Sequence, residues 1–205
     1  MSVDAFRLQA LSPLDGRYAS KLEPLAALFS EAGFMAHRVK VEIAWLKALS
    51  HYGLPQVPRL DDADVAAFEA IGDNFGLEQA ARIKAIEAST NHDVKAVEYF
   101  LKEKAERAGL GEIKEFIHFG LTSQDINNTA FPLAIKECLN KIYFAQLQTV
   151  IKKLEELASA WKNIAMLSRT HGQPASPTRL GKEMMVFVDR LNNQLQLLQQ
   201  IPFTA

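Results

Sequence analysis

The chain has one cysteine, almost no net charge and no long hydrophobic run, and each of these shortages excludes a class of protein. Its single cysteine, Cys138, rules out an intrachain disulfide, and no Cys/His cluster has the spacing of a zinc site. The 23 Lys and Arg residues nearly balance the 24 Asp and Glu residues, which gives a formal net charge of −1. Because no global field favours nucleic acid or an anionic membrane, we expect neither as a partner. Any anionic ligand has to be held by local groups.

Targeting and membrane signals are also scarce. No apolar stretch approaches the ~20 residues that a membrane-spanning helix needs. The N-terminal segment contains Asp4 and Arg7 and lacks the apolar run of a signal peptide. The sequence therefore predicts a cytoplasmic location.

Helical periodicity is the main pattern that the sequence does contain. With 205 residues, 48% of them hydrophobic and 23% charged, the chain has the composition of a globular protein with one or two cores. Apolar residues recur at three- and four-residue steps over 143–161 and 180–198, which predicts long helices packed in a bundle. No strand pattern is evident. We predict an all-α fold, with an N-terminal domain of shorter helices over 1–110 and the first part of a long-helix bundle over 111–205.

Cap and turn signals divide the N-terminal domain into its shorter helices. These are predicted over 34–52, 62–71 (capped by Asp61), 77–88 and 93–108. A further helix is predicted from Ser123, and Pro132 within it predicts a kink or a helix junction. His37 and His51 are expected on the surface of the first of these helices.

Polar residues concentrate in four segments, of which the first is S-P-L-D-G-R-Y at 12–18. Pro, Asp and Gly predict a turn. Arg17 and Tyr18 could present a guanidinium and a phenol to a phosphate or a carboxylate. The alternative is a surface turn with an incidental arginine.

The second segment is T-N-H-D-V-K-A-V-E at 90–98. Thr90 and Asp93 have the spacing of a capping box, which indicates a helix start. Capping does not require Asn91, His92 or Lys95, so a functional role stays open beside that of a plain helix start. Lys95 and Glu98 share a helix face, and a simple surface ion pair remains the alternative.

The third segment is H-F-G-L-T-S-Q-D-I-N-N at 118–128. Thr122 and Asp125 repeat the capping-box spacing, and hydroxyl groups beside free backbone N–H groups also form an anion site. The pair Asn127-Asn128 inside a helix has poor propensity, which buried hydrogen bonds would explain.

The fourth segment is L-S-R-T-H-G-Q-P-A-S-P-T at 167–178. It places His171 on a Gly/Pro-punctuated loop just before a long amphipathic helix. A helix start offers unpaired N–H groups to anions, and a histidine beside an anion can donate a proton near neutral pH. The segment therefore indicates an enzyme acting on an acidic substrate, although a lone histidine is more often structural.

Together these segments resemble the adenylosuccinate lyase family in its bacterial form, within the aspartase/fumarase superfamily. The T-H-x-Q-x-A element at 170–175 indicates only the superfamily. The segments at 12–18 and 90–98 point to this family rather than to fumarase or argininosuccinate lyase. Their order and spacing match over essentially the whole chain.

The resemblance implies β-elimination of fumarate from adenylosuccinate, giving AMP, and from the succinylated imidazole carboxamide ribotide (SAICAR), giving AICAR. It implies a homotetramer whose sites combine several chains, with no cofactor and no metal. It also implies residue roles: phosphate contacts from Arg17 and Tyr18, a substrate-contacting turn at Asn91, His92 and Asp93, carboxylate binding by Thr122 and Ser123, proton donation to the departing purine nitrogen by His171, and support from Lys95, Thr170 and Gln173.

The chain departs from the family pattern in a few places. Gln124 and Arg179 stand where relatives often have Glu and a small or hydroxyl residue, respectively. The family's loop S-S-x-M-P-x-K-x-N, which carries the serine assigned as general base, lies beyond residue 205, so we expect this chain to be inactive alone. Two other functions stay open: a different fumarate-releasing lyase of the superfamily, and a non-catalytic helical scaffold that only oligomerises.

Overall fold

A computed structural model describes residues 3–204 and separates two compact units between Cys138 and Leu139. Its helices are α1 (Val3–Gln9), α2 (Glu23–Phe29), α3 (Glu31–Tyr52), α4 (Asp62–Asp73), α5 (Leu77–Thr90), α6 (Asp93–Arg107), α7 (Ser123–Cys138), α8 (Phe144–Ala160) and α9 (Leu180–Gln199). Short 3-10 turns lie at Ala19–Lys21 and Gly111–Phe116, a π-helical turn lies at Leu139–Tyr143, and two strands are β1 (Ala165–Thr170) and β2 (Gln173–Arg179). The predicted dominance of helix is confirmed.

Side-chain caps mark the starts of α3, α4 and α6 in the first unit. Asp61 and Asp64 form a reciprocal capping box at the start of α4, as predicted. The predicted box at Thr90 and Asp93 is wrong, because Thr90 is the last residue of α5. Asn91 follows in the left-handed conformation with φ 52°, which turns the chain and leaves His92 as the N-cap of α6.

The core of the first unit lies where α3 packs with α4, α5 and α6. Leu46, Phe68, Ile83 and Phe100 are almost fully buried there. Burial of each such side chain contributes roughly 1.5–3 kcal/mol. Ile113 belongs to the same core although it lies beyond residue 110. The compact unit therefore extends past residue 110. The domain boundary proposed at that residue stays a prediction.

The prediction that His37 lies on the surface of its helix is wrong, because this residue is only 2% exposed. Its Nδ1–H donates to the carbonyl oxygen of Gly33 at 2.8 Å. This bond satisfies one ring nitrogen within its own helix, and the other, Nε2, lies 3.7 Å from Oε1 of Glu137 on α7.

For Pro132, a kink or a helix junction was predicted, and the junction is wrong. The helix α7 continues through Pro132 to Cys138, so no helix junction lies at the proline. The change in helical geometry comes later, at the π-helical turn Leu139–Tyr143.

The second unit is built on two packed helices, α8 and α9. Ile151, Val188 and Leu195 form their buried contact. Gly181 allows the close approach, because a Cβ there would lie 2.2 Å from the carbonyl oxygen of Ala158. Phe187 lies on the predicted stripe yet is half-exposed, so this unit alone buries only part of the apolar pattern.

The expectation that the chain has no strands is wrong for residues 165–179. Strands β1 and β2 pair antiparallel, with Thr170 opposite Gln173. The connecting residues His171 and Gly172 have φ values of 49° and 74°. Two left-handed residues in succession make the kind of two-residue turn whose twist matches that of a hairpin.

Among the described residues, no helix combines the length and apolar character required to cross a bilayer.

Candidate active site

The start of α6 is shaped by the imidazole of His92. Its Nδ1 accepts the backbone N–H of Lys95 at 3.1 Å, which caps the helix. A neutral imidazole that accepts at Nδ1 carries its proton on Nε2. The helix backbone therefore sets the tautomer of His92 and makes Nε2 a donor.

The start of α7 lies beside this imidazole. Nε2 of His92 is 3.3 Å from the hydroxyl oxygen of Ser123, the first residue of α7. With Nε2 donating, Ser123 accepts, and its own hydroxyl hydrogen stays available for another acceptor. The structure thus brings together the segments 90–98 and 118–128, which are separate in sequence.

Thr122 is engaged differently from Ser123. Its backbone N–H and its hydroxyl both donate to Asp125 Oδ2, at 2.6 and 3.0 Å. These two bonds, the N–H first, lower the pKa of Asp125. Because the Thr122 hydroxyl hydrogen is already donated to a carboxylate, Ser123 is the more available donor of the two.

Asn91 and Asp93 flank His92, and their side chains differ in their contacts. Asn91 is exposed in its left-handed conformation. Asp93 instead pairs with Arg38, with Nη2 and Oδ2 2.7 Å apart. Partial burial raises the pKa of Asp93, but the Val94 N–H and the Arg38 guanidinium outweigh it, so the net pKa lies below the usual range.

Arg38 was missed by reasoning from the sequence. It lies on α3 and is 8% exposed, and its Nε donates to Asn127 Oδ1 at 2.9 Å. The expected buried hydrogen bond is thus confirmed in part: Asn127 has a partly buried one, whereas Asn128 is exposed and accepts from Gln124. The available signal was helical spacing, since Arg38 follows the buried Met35 by three residues.

A second polar pair in the interior was missed as well. Glu42 is fully buried on α3, and its Oε1 lies 2.6 Å from Nδ1 of His118. Burial raises the pKa of Glu42, and the contact with His118 opposes this only in part. His118 has φ 63°, so the pair anchors a strained residue just before the turn that leads into α7.

Lys95 contributes through its backbone and its side chain. Besides its N–H bond to His92, its ammonium lies 2.5 Å from Glu98 Oε2. Lys102 approaches the other Glu98 oxygen at 3.2 Å. Two cations thus compensate one buried carboxylate, so the predicted Lys95–Glu98 contact is more than a solvated surface pair.

A groove runs along the face of the first unit that carries His92. It has a volume of about 480 Å³, a size typical of small-ligand pockets. Its walls come from α3 and from the α5–α6 junction: Glu31, Phe34, Met35, Arg38, Glu87, Asn91, His92 and Asp93.

The segment 12–18 forms the predicted turn. Its backbone closes through bonds from Asp15 and Gly16 N–H to the Ser12 carbonyl. Arg17 and Tyr18 are both exposed, and the guanidinium lies 5.6 Å from the centre of the tyrosine ring. Both side chains are thus presented to solvent.

His171 lies at the tip of the β1–β2 hairpin and is exposed. Thr170 and Gln173, on either side of the turn, are exposed too. The prediction that His171 lies beside a helix start is wrong, because α9 begins only at Leu180, after the whole of β2. Its chemistry therefore cannot draw on the N-terminus of α9.

Residues 16–203 match the profile of a protein family described as Lyase. The chain belongs to this lyase family.

Two relatives show how much of the family this chain covers. Adenylosuccinate lyase of Dictyostelium discoideum is 48% identical over 206 residues, which is 97% of this chain and 44% of that protein. Adenylosuccinate lyase of Haemophilus influenzae is 49% identical over 194 residues, with 94% of this chain and 42% of that protein covered. The lyase-family chain thus spans less than half the length of these relatives.

A solved structure has a similar fold. The fumarate lyase from Mesorhizobium sp. BNC1 gives a TM-score of 0.69 at 25% identity, covering 87% of this chain and 39% of that one.

The site residues predicted for this lyase-family chain belong to both of its units. Thr170, His171 and Gln173 lie in the second unit, and all the others lie in the first. Within the described residues, no group of three or more His, Cys, Asp or Glu side chains is placed to hold a metal ion.

Proposed function

We propose that this chain forms part of an enzyme that eliminates fumarate from adenylosuccinate, giving AMP, and from SAICAR, giving AICAR. The observation that carries the proposal is the contact between His92 Nε2 and Ser123 Oγ, 3.3 Å apart. It joins two segments of the resemblance into one polar site at two helix starts. Relatives named adenylosuccinate lyase, matching 94–97% of this chain, support the same reaction.

The reaction needs groups that stabilise anions. A proton leaves the carbon next to a carboxylate, the C–N bond breaks, a C=C bond forms, and the departing nitrogen takes up a proton. The intermediate carries extra negative charge on the carboxylate, which preorganised donors stabilise. Ser123, with its hydroxyl hydrogen available at the start of α7, suits this role. Thr122 supplies a second donor only if its hydroxyl breaks its hydrogen bond to Asp125.

Protonation of the departing nitrogen falls to His171 in this proposal. Its exposure at the tip of a hairpin leaves the imidazole accessible to a ligand. Thr170 and Gln173 support the turn that carries it. Such a general acid typically contributes about 10²–10⁴-fold to the rate.

The remaining groups bind substrate. Arg17 and Tyr18 contact the phosphate, since an exposed guanidinium forms charge-assisted bonds with phosphate oxygens. Asn91, His92 and Asp93 contact the substrate from the groove, with Lys95 in support and Asp93 held in place by Arg38. The enzyme is proposed to be a cytoplasmic homotetramer that uses neither cofactor nor metal.

Replacing His171 tests the proposal directly. In the complete protein that contains this sequence, His171→Gln should lower kcat by about 10²–10⁴-fold, because the leaving nitrogen loses its acid. Substrate affinity should change much less. Steady-state assays with adenylosuccinate give both parameters.

His51→Gln is the matched control, since His51 is an exposed histidine on α3. It should behave as wild type. Near-normal turnover of His171→Gln would remove His171 from the donor role.

A second candidate is another fumarate-releasing lyase, which the likeness to the fumarate lyase structure favours. The two functions differ in substrate rather than in chemistry. Assays of the wild-type protein with adenylosuccinate, argininosuccinate and malate separate them. Turnover of malate or argininosuccinate alone would replace the first proposal with the second.

A further inference from the structure

Arg38 connects two helix starts through one rigid group. Its Nη2 lies 2.7 Å from Asp93 Oδ2, and its Nε donates to Asn127 Oδ1 at 2.9 Å. Asp93 is the first residue of α6, and Asn127 lies one turn into α7. Because the guanidinium is planar and its donors are fixed relative to each other, it sets the spacing of the two groups that it binds.

The orientation of the guanidinium is itself fixed by packing. Its central carbon lies 4.5 Å from the centre of the Phe34 ring. That ring meets Phe131 of α7 edge-to-face, with centroids 6.1 Å apart. The side chain of Arg38 is only 9% exposed, so its position is held by neighbours rather than by solvent.

The two connected helix starts carry the residues at the centre of the candidate site. His92 directly precedes Asp93, and Ser123 lies one turn before Asn127. The contact between His92 Nε2 and Ser123 Oγ, at 3.3 Å, therefore joins the same two helix starts that Arg38 bridges. An ordinary exposed ion pair would have little such effect.

We propose that Arg38 is a positioning residue, which holds the helix starts of α6 and α7 so that His92 and Ser123 act on the same ligand. The inference rests on the proposed function for its catalytic consequence. The claim that Arg38 holds the two helix starts in place rests on the contacts of Arg38 alone. The structural claim and the catalytic consequence are tested separately.

The structural test uses this chain and needs no substrate. In isotope-labelled protein, nuclear Overhauser contacts between the His92 ring protons and the Ser123 β-protons report their proximity. We expect these contacts in wild type and their loss in Arg38→Lys and in Asn127→Ala. Persistence of the contacts in both variants would overturn the inference.

Two matched controls separate positioning from a general loss of contacts. Asn128→Ala removes the neighbouring, exposed asparagine of α7, whose Oδ1 accepts from Gln124 Nε2 within the same helix. Arg82→Lys changes an exposed arginine that is paired with Glu103. Both controls should keep the His92–Ser123 contacts. If Arg38→Lys does not fold, Asn127→Ala decides, because it removes only one amide.

The kinetic test uses the complete protein. Misplacement of a reacting group by about 1 Å can cost on the order of 100-fold in rate, so we expect kcat in Asn127→Ala and Arg38→Lys to fall by up to about 100-fold. KM should change less, and both controls should match wild type. Loss of the ring contacts with unchanged kcat would overturn the positioning role, and so would a fall in kcat with the contacts intact. Absence of elimination activity in wild type would defeat the proposed function, while the contacts would still test the coupling.

Discussion

Two polar residues on the buried side of α3 contact the segments that carry the candidate site. Arg38 and Glu42 lie four residues apart on a face that otherwise packs into the core. Each reaches a segment that contains a predicted site residue, Arg38 at Asp93 and Glu42 at His118. Charged groups in such places are costly to bury alone, so their pairing links the core to the site.

Glu42 gives a prediction about pH at the scale of one residue. Its pKa is raised in the folded chain by burial. A carboxyl group with a raised folded pKa contributes stability below its unfolded pKa, and this contribution is lost as pH rises through the folded value. The free energy of unfolding of wild type, relative to that of Glu42→Gln, should therefore fall as the pH rises from the ordinary titration range of a glutamate toward neutrality and above it. Urea titrations of both proteins across this range measure it.

The comparison with Glu42→Gln isolates this carboxyl group. Asp93 and Asp125 have lowered pKa values and act in the opposite direction, but both proteins share them. Glu78→Gln, at an exposed position on α5, should show no such trend. A stability difference that stays constant with pH would contradict the prediction.

At the scale of elements, the hairpin depends on its two-residue turn. Gly172 has φ 74°, where a β-branched side chain is strained by about 1–2 kcal/mol. Gly172→Val should therefore reduce the hydrogen-exchange protection of the β1 and β2 amides by roughly tenfold. Gly172→Asn should be much milder, because asparagine accepts the left-handed conformation. Equal protection in the two variants would contradict this account of the turn.

The elements differ in how far the sequence predicts them. Long helices such as α9 follow from periodicity, and α4 follows from its capping pair at Asp61 and Asp64. The hairpin was missed because its strands contain Ser, Thr, Pro and Arg instead of alternating apolar residues. The pair His171-Gly172 was the local signal for it, since both residues tolerate positive φ.

The candidate site shows the same division between local and long-range information. The position of His92 at a helix start could be predicted within one or two residues from local pattern. Its contact with Ser123 could not, because that contact depends on how α6 and α7 pack. Nor could Arg38 be paired with Asn127, which lies 89 residues further along the chain.

At the scale of the whole molecule, the length of the chain bears on whether it can catalyse the proposed reaction alone. The chain covers 44% of the length of the Dictyostelium discoideum relative. The loop expected to carry the general base matches no part of this sequence, so the purified 205-residue chain should not cleave adenylosuccinate. Following the absorbance change of the purine measures this, and the complete protein is the positive control. Cleavage by the isolated chain would show that the base lies within these residues.

The imidazole of His92 performs two tasks with two different atoms. One nitrogen ends a helix, and the other faces a serine hydroxyl. Replacement of the ring would affect both tasks together, because the same side chain supplies the acceptor on which the helix start depends and the donor that faces the hydroxyl. Helix capping and ligand recognition in this part of the chain are thus subject to a common chemical constraint at a single ring.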